Sequence, residues 1–150
     1  MTLIDSNLIF TNIEADDKTS LIDFLANKLY SHGNVKSTFK NAIEKREQTY
    51  PTGLPTGIIK VAIPHTDAQY VNQSVIAFAN LEHPIEFQNM AANKEALKVS
   101  VVMMLAIAEP HGQVKTLEKL MSIFQDETLL KFLSSEHDSE KIYEKLVTLL

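Results

Sequence analysis

The feature that most limits how this chain can fold is the unbroken apolar run from Val101 to Ala108. It falls far short of the ~20 residues needed to cross a bilayer, so it belongs inside a protein core. Within the segment Leu97 to Ala108 it leaves no polar side to turn towards water, as expected of a central strand covered on both faces. Other elements must therefore lie above and below it. Around 150 residues is enough for one such core, and the chain has no cysteine, so neither disulfides nor thiolate metal sites contribute.

The remaining pattern supplies those elements. Asn7 to Ile13 reads as a strand around Leu8-Ile9-Phe10. A helix follows, capped by Asp16 or Asp17, with Leu21, Phe24, Leu25 and Leu29 at helical spacing and Gly33 as its left-handed stop. Ser37 is the expected cap of a second helix, which runs to about Thr49 with Phe39, Ala42 and Ile43 on its apolar face. Tyr50 to Gly57, with two prolines and two glycines, is expected to be an irregular loop. Strands are expected over Ile58 to Ile63, ended by Pro64, and over Gln73 to Leu81. Pro110 favours a helix start, with Val114, Leu117, Leu120, Met121 and Phe124 as a buried stripe, and shorter helices follow near Glu127–Leu133 and Ser139–Leu149. With no repeat or linker, the order predicts one layered sheet with helices on both faces.

Charge narrows the function. Fourteen Lys and Arg stand against 19 Asp and Glu, a net charge of −5 with no basic stripe, so a nucleic acid is not the expected partner. The opening Met-Thr-Leu-Ile-Asp-Ser lacks the layout of a secretory signal, and the expectation is a cytoplasmic protein without membrane insertion. Thirteen of the bases are lysine, and Arg46 is the sole arginine.

Three residues could carry chemistry. His65 follows Pro64 at the carboxyl end of a strand, where open α/β sheets place their ligands; the alternative is an idle loop histidine. Arg46 shares its helix face with Phe39, Ala42 and Ile43, whereas Glu44, Lys45 and Glu47 are expected to point elsewhere. A guanidinium there needs an anion or several carbonyls, so it either meets a phosphate or serves an internal salt bridge or loop cap. His111 sits in the first turn after Pro110, where free N–H groups and the helix dipole favour an anion, unless it is an ordinary helix-start residue. Together the three suit a dianionic phosphoryl group. Other sites fail on spacing: Gly53, Gly57 and Lys60 do not make a nucleotide-binding loop, and His65-Thr66-Asp67 lacks a third ligand, so no metal is expected.

Arg46-Glu47, Pro51-Thr52-Gly53, Val61-Ala62-Ile63-Pro64-His65 and Glu109-Pro110-His111 followed by Val114 and Leu117 resemble the enzyme IIA domains of the fructose and mannitol class of the bacterial phosphotransferase system. The resemblance spans residues 1–150, and Tyr-Pro-Thr-Gly with Ala-Ile-Pro-His-Thr looks most like the galactitol-type branch. It implies an α+β fold, a three-layer α/β/α sandwich with a mixed sheet. It also implies a phosphotransferase that needs no cofactor: HPr phosphorylates His65, Arg46 and His111 stabilise the phosphate, and a cysteine of a IIB partner receives it. A membrane IIC component then completes sugar uptake. The alternative is a regulatory IIA-like module whose phosphorylation state controls a partner protein. One departure stands out, Pro51-Thr52-Gly53 in place of Ser-Thr-Gly, followed by an additional Pro55-Thr56-Gly57.

Overall fold

The computed structural model describes residues 3–92 and 94–150. Strand β1 (Ile4–Ile13), helices α1 (Lys18–Ser31) and α2 (Phe39–Thr49), strands β2 (Gly53–Leu54), β3 (Lys60–Ala62), β4 (Val75–Gln88) and β5 (Ala96–Ala106), and helices α3 (Pro110–Ile123), α4 (Glu127–Ser135) and α5 (Ser139–Leu149) follow in order, with a short 3-10 turn at Ala68–Tyr70. The strands form one sheet in the order β1-β4-β5-β3-β2. β4 pairs with β1 in parallel and with β5 antiparallel, β3 is parallel to β5, and β2 is antiparallel to β3, so the sheet is mixed.

Two apolar cores confirm the three layers. One face packs Leu21, Leu25 and Leu29 of α1 and Phe39 and Ile43 of α2 against Ala77, Ala79, Val102 and Met104. The other packs Leu120, Phe124, Leu130, Leu133, Ile142 and Leu146 against Ile76, Phe78, Val101, Met103 and Leu105. β5 therefore feeds both cores, as its composition demands. Leu97 and Val99 face the α1–α2 side, yet so do Val102 and Met104, so the alternation inverts near Ser100. The register shifts at the same place against both neighbours, between Lys60 and Val61 on β3 and between Asn80 and Ile85 on β4. That is the signature of a β-bulge.

Several expectations need correction. β4 runs on through Pro84 to Gln88, because the irregular stretch opposite Ser100 accepts a residue with no ladder donor. β3 is shorter than expected: Ile58 lies 77% exposed, its chain drawn aside by a hydrogen bond from its N–H to Glu127. The Tyr50–Gly57 segment is not wholly irregular, since Gly53 and Leu54 pair with Ala62 and Val61. Thr38 rather than Ser37 precedes α2, with no side-chain cap. In α3, Leu120 and the following Phe124 are buried, but Val114 and Met121 are exposed. The caps of α1 fare better: Asp17 accepts from the Ser20 N–H, and Gly33 at φ +86° closes the helix, with the Asn34 and Gly33 N–H groups donating to Leu29 and Tyr30.

Asn80, 1% exposed in β4, ties the layers together. Its amide donates to the carbonyls of Leu133 and Glu136 at 2.9 and 2.7 Å, and its oxygen accepts from the Asn12 N–H. These are the carbonyls that the end of α4 would otherwise leave unpaired. Asn80→Leu should therefore lower stability by about 2 to 3 kcal/mol; a urea midpoint equal to that of the parent chain would show that these contacts are dispensable.

Candidate functional site

Pro64 ends β3 without breaking the sheet. Its carbonyl accepts from the Leu105 N–H at 2.9 Å, and His65 bridges to Leu105, so the segment stays fixed beside β5. His65 is 8% exposed. Its Nδ1 lies 2.7 Å from the Ile63 carbonyl oxygen. A carbonyl can only accept, so Nδ1 carries the ring proton and the lone pair resides on Nε2. Burial lowers the His65 pKa, and the charge of Arg46 acts in the same direction, against the Ile63 carbonyl and Asp67. Near neutral pH the ring is thus a neutral imidazole with one nucleophilic nitrogen.

His65 lines a cavity of about 360 Å³ together with Arg46, Tyr50, Pro51 and Thr52 from α2 and the loop after it, and Leu117 and Met121 from α3. Helices from opposite faces of the sheet thus meet at this strand end. Arg46 lies at the last turn of α2, with its guanidinium 5.1 Å from the Tyr50 ring centre and Nη1 3.6 Å from Asp67. The ion pair is half exposed, and therefore weak. Arg46 Nε, by contrast, is buried without a partner. The sole arginine accordingly keeps unused donor capacity beside the histidine.

His111 is placed differently. It is exposed on the first turn of α3, does not line the cavity, and makes no side-chain hydrogen bond or ion pair among the described residues. Arg46 and His65 line one cavity, while His111 does not.

Glu47 is the residue that the helical reading misjudged. Instead of pointing elsewhere it is 2% exposed, because Phe39, Ile43 and Glu47 form the buried stripe at steps of four, with Arg46 at its edge. Its carboxylate accepts from the Thr52 N–H at 2.8 Å and from the Thr52 hydroxyl at 2.7 Å. Thr52 in turn accepts the Ile63 N–H on its carbonyl. A hydrogen-bonded line therefore runs from Glu47 through Thr52 and Ile63 to His65. The spacing from Phe39 was the available signal, and Asp67 offered none, since only the fold brings it to Arg46.

Burial pushes the Glu47 pKa up to about 7, against the opposing effects of Thr52 and Lys18. A carboxyl raised in the folded state stabilises most below its unfolded pKa, and that contribution is lost as pH rises through about 7. Glu47→Gln should match the parent near pH 5 and exceed it by on the order of 2 kcal/mol near pH 8. Parallel stability curves for the two proteins across this range would contradict the assignment.

Comparison with known proteins adds an independent finding. Residues 2–148 match the family model described as "Phosphoenolpyruvate-dependent sugar phosphotransferase system, EIIA 2". The chain is 37% identical over 100 residues to the transcriptional regulator ManR of Bacillus subtilis, covering 67% of this chain but 14% of the regulator. It is 27% identical over 117 residues to the galactitol-specific EIIA component of Escherichia coli K12, covering 78% of this chain and 77% of that protein. The fold matches the enzyme IIA of a mannitol IIA–phosphorylated IIB complex from Escherichia coli with a TM-score of 0.78, at 19% identity over 97% of this chain and 99% of that one. The family model spans nearly the whole chain, and the fold agrees with it. The chain belongs to the EIIA 2 family of the phosphoenolpyruvate-dependent sugar phosphotransferase system, as a phosphotransferase component.

Proposed function

We propose that residues 1–150 act as a cytoplasmic phosphoryl carrier in which Nε2 of His65 accepts a phosphoryl group from phospho-HPr and passes it to a cysteine of a IIB partner, for uptake of a sugar or polyol through a membrane IIC component. The observation that carries this reading is the buried, neutral His65, whose Nδ1 is tethered to a carbonyl while a cavity shared with Arg46 adjoins it. Phosphoryl transfer asks for in-line positioning and stabilisation of the equatorial oxygens, with little covalent work from the protein. Arg46 supplies a planar fork with a free Nε, and capture of the phosphoryl group costs it only a weak contact with Asp67. His111 and the N–H groups at the start of α3 form the second stabiliser, engaging once the phosphoryl group extends towards that helix.

The exposed apolar residues around the cavity support a docking role. Tyr50 is 62% exposed, Met90 37% and Met121 40%, all lining the cavity mouth. A partner must cover that mouth to exclude water from the transferring group, and flexible methionines adapt to more than one partner surface. The likeness to a segment of a transcriptional regulator favours a second reading, in which phosphorylation of the same histidine governs a partner protein without transport.

Incubation with phosphoenolpyruvate, enzyme I and HPr should add one phosphoryl group, visible by intact mass and by ³¹P NMR as the Nε2 adduct. His65→Ala should abolish it. Undiminished phosphorylation of that variant would overturn the carrier assignment. Gene neighbours encoding IIB and IIC components distinguish transport from regulation.

Arg46→Lys keeps the charge and loses the fork. It should melt within a degree or two of the parent and transfer roughly tenfold more slowly in both directions, equivalent to ~1.4 kcal/mol in the barrier. Parent-like rates in rapid-quench measurements would reduce Arg46 to a structural cap.

A further inference from the structure

The carrier reading leaves one buried titratable group unused, Glu47, and one cavity-lining hydroxyl uncommitted to chemistry, Thr52. The two are bonded to each other. Thr52 is 1% exposed, and its hydroxyl proton is spent on Glu47 Oε1 at 2.7 Å while its N–H donates to Oε2. A hydroxyl has one proton to give, so an ionised Glu47 leaves Thr52 presenting only lone pairs to the cavity it shares with His65 and Arg46. Lone pairs facing a dianionic phosphoryl group would repel it.

Resting on the carrier reading, we propose that Glu47 and Thr52 form a hydrogen-bond pair of reversible polarity: when His65 is phosphorylated, the Glu47 carboxylate takes one proton from solvent, its new O–H donates to Thr52 Oγ1, and the Thr52 hydroxyl turns to donate to a phosphoryl oxygen. No covalent bond other than this O–H changes, and the Thr52 N–H remains on the other carboxyl oxygen. The 2.7 Å separation serves either direction of donation. Glu47 is suited to the exchange because its burial already brings it close to protonation at neutral pH, and a nearby dianion favours the neutral acid further. The charges around it are few: Lys18 at the start of α1 acts on it, Arg46 on its own helix is engaged with Asp67, and His65 is neutral before loading. Glu47 is thus a positioning residue that acts through Thr52, and phosphorylation carries proton uptake with it.

The test uses potassium phosphoramidate to phosphorylate His65 chemically in the full chain, so that it does not depend on any protein donor. Infrared difference spectra at pH 8 should gain the carbonyl band of a protonated carboxylic acid on phosphorylation, and Glu47→Gln should lack it. Thr52→Val should shorten the phosphohistidine lifetime roughly tenfold, whereas Thr52→Ser, which keeps the hydroxyl, should restore it. Glu47→Gln mimics the protonated state, so its phosphohistidine lifetime should lose the parent's dependence on pH between 6 and 9.

A carboxyl band unmoved on phosphorylation, or a parent-like lifetime in Thr52→Val, would overturn the relay while leaving the carrier reading intact. The expected band together with no transfer from phospho-HPr would overturn the carrier reading alone. A His65 that phosphoramidate does not modify would overturn both.

Discussion

Strand β5 has no face that it can show to water, and the architecture follows from covering it. Val101, Met103 and Leu105 demand one helical layer, and Val102, Met104 and Ala106 demand another. β4 and β3 flank it on either side. Because a helix must return over each face, the loops that join layers to sheet collect at the strand ends. His65 is held at one such end, bridged to Leu105 of the same strand. His65 is therefore anchored to the most buried part of the molecule, although it lines a cavity.

Anchoring and reactivity are linked through the proton on the ring. The tether to the Ile63 carbonyl fixes the imidazole and selects its tautomer with one hydrogen bond. The same burial that makes the tether rigid keeps the ring neutral, so position and nucleophilicity come from one cause. Arg46 contributes in the same sense, by discouraging a charged imidazolium. Its cation stands where the proposed phosphoryl group would bring negative charge. Behind both lies the Glu47–Thr52 pair, which holds the loop that pairs with β3.

Much of this was readable from the sequence, and the misses have physical reasons. The two-faced apolar strand revealed the layers, and Pro64 preceding a histidine revealed a strand end. Val114 and Met121 matched the helical period of α3 yet are exposed. Periodicity reports a consistent face, and here that face borders a cavity at Met121 rather than the core. The helical spacing that puts Arg46 on the face of Phe39, Ala42 and Ile43 leaves Glu47 off it, although Glu47 sits four residues beyond Ile43. Only the distant Thr52 contacts show how its burial is tolerated. The strand expected to stop at Leu81 runs on through Pro84 to Gln88, and nothing local announces the bulge on the neighbouring strand that permits it. The pairing of Asp67 with Arg46 depends on how separate elements approach one another, which no local pattern encodes.

The bulge near Ser100 settles which way the histidine faces. Along β3 and beyond, Val61 and Ile63 turn to the α3 side, and His65 shares their parity. Their partners on β5, Val101 and Leu105, face the same side only because the bulge has already inverted the alternation begun at Leu97 and Val99. Loss of a single residue there would force half of β5 to turn its side chains into the wrong layer. The orientation of His65 is in this sense a matter of counting: an odd residue, with no chemistry of its own, separates a sheet that presents His65 beside α3 from one that cannot hold it there.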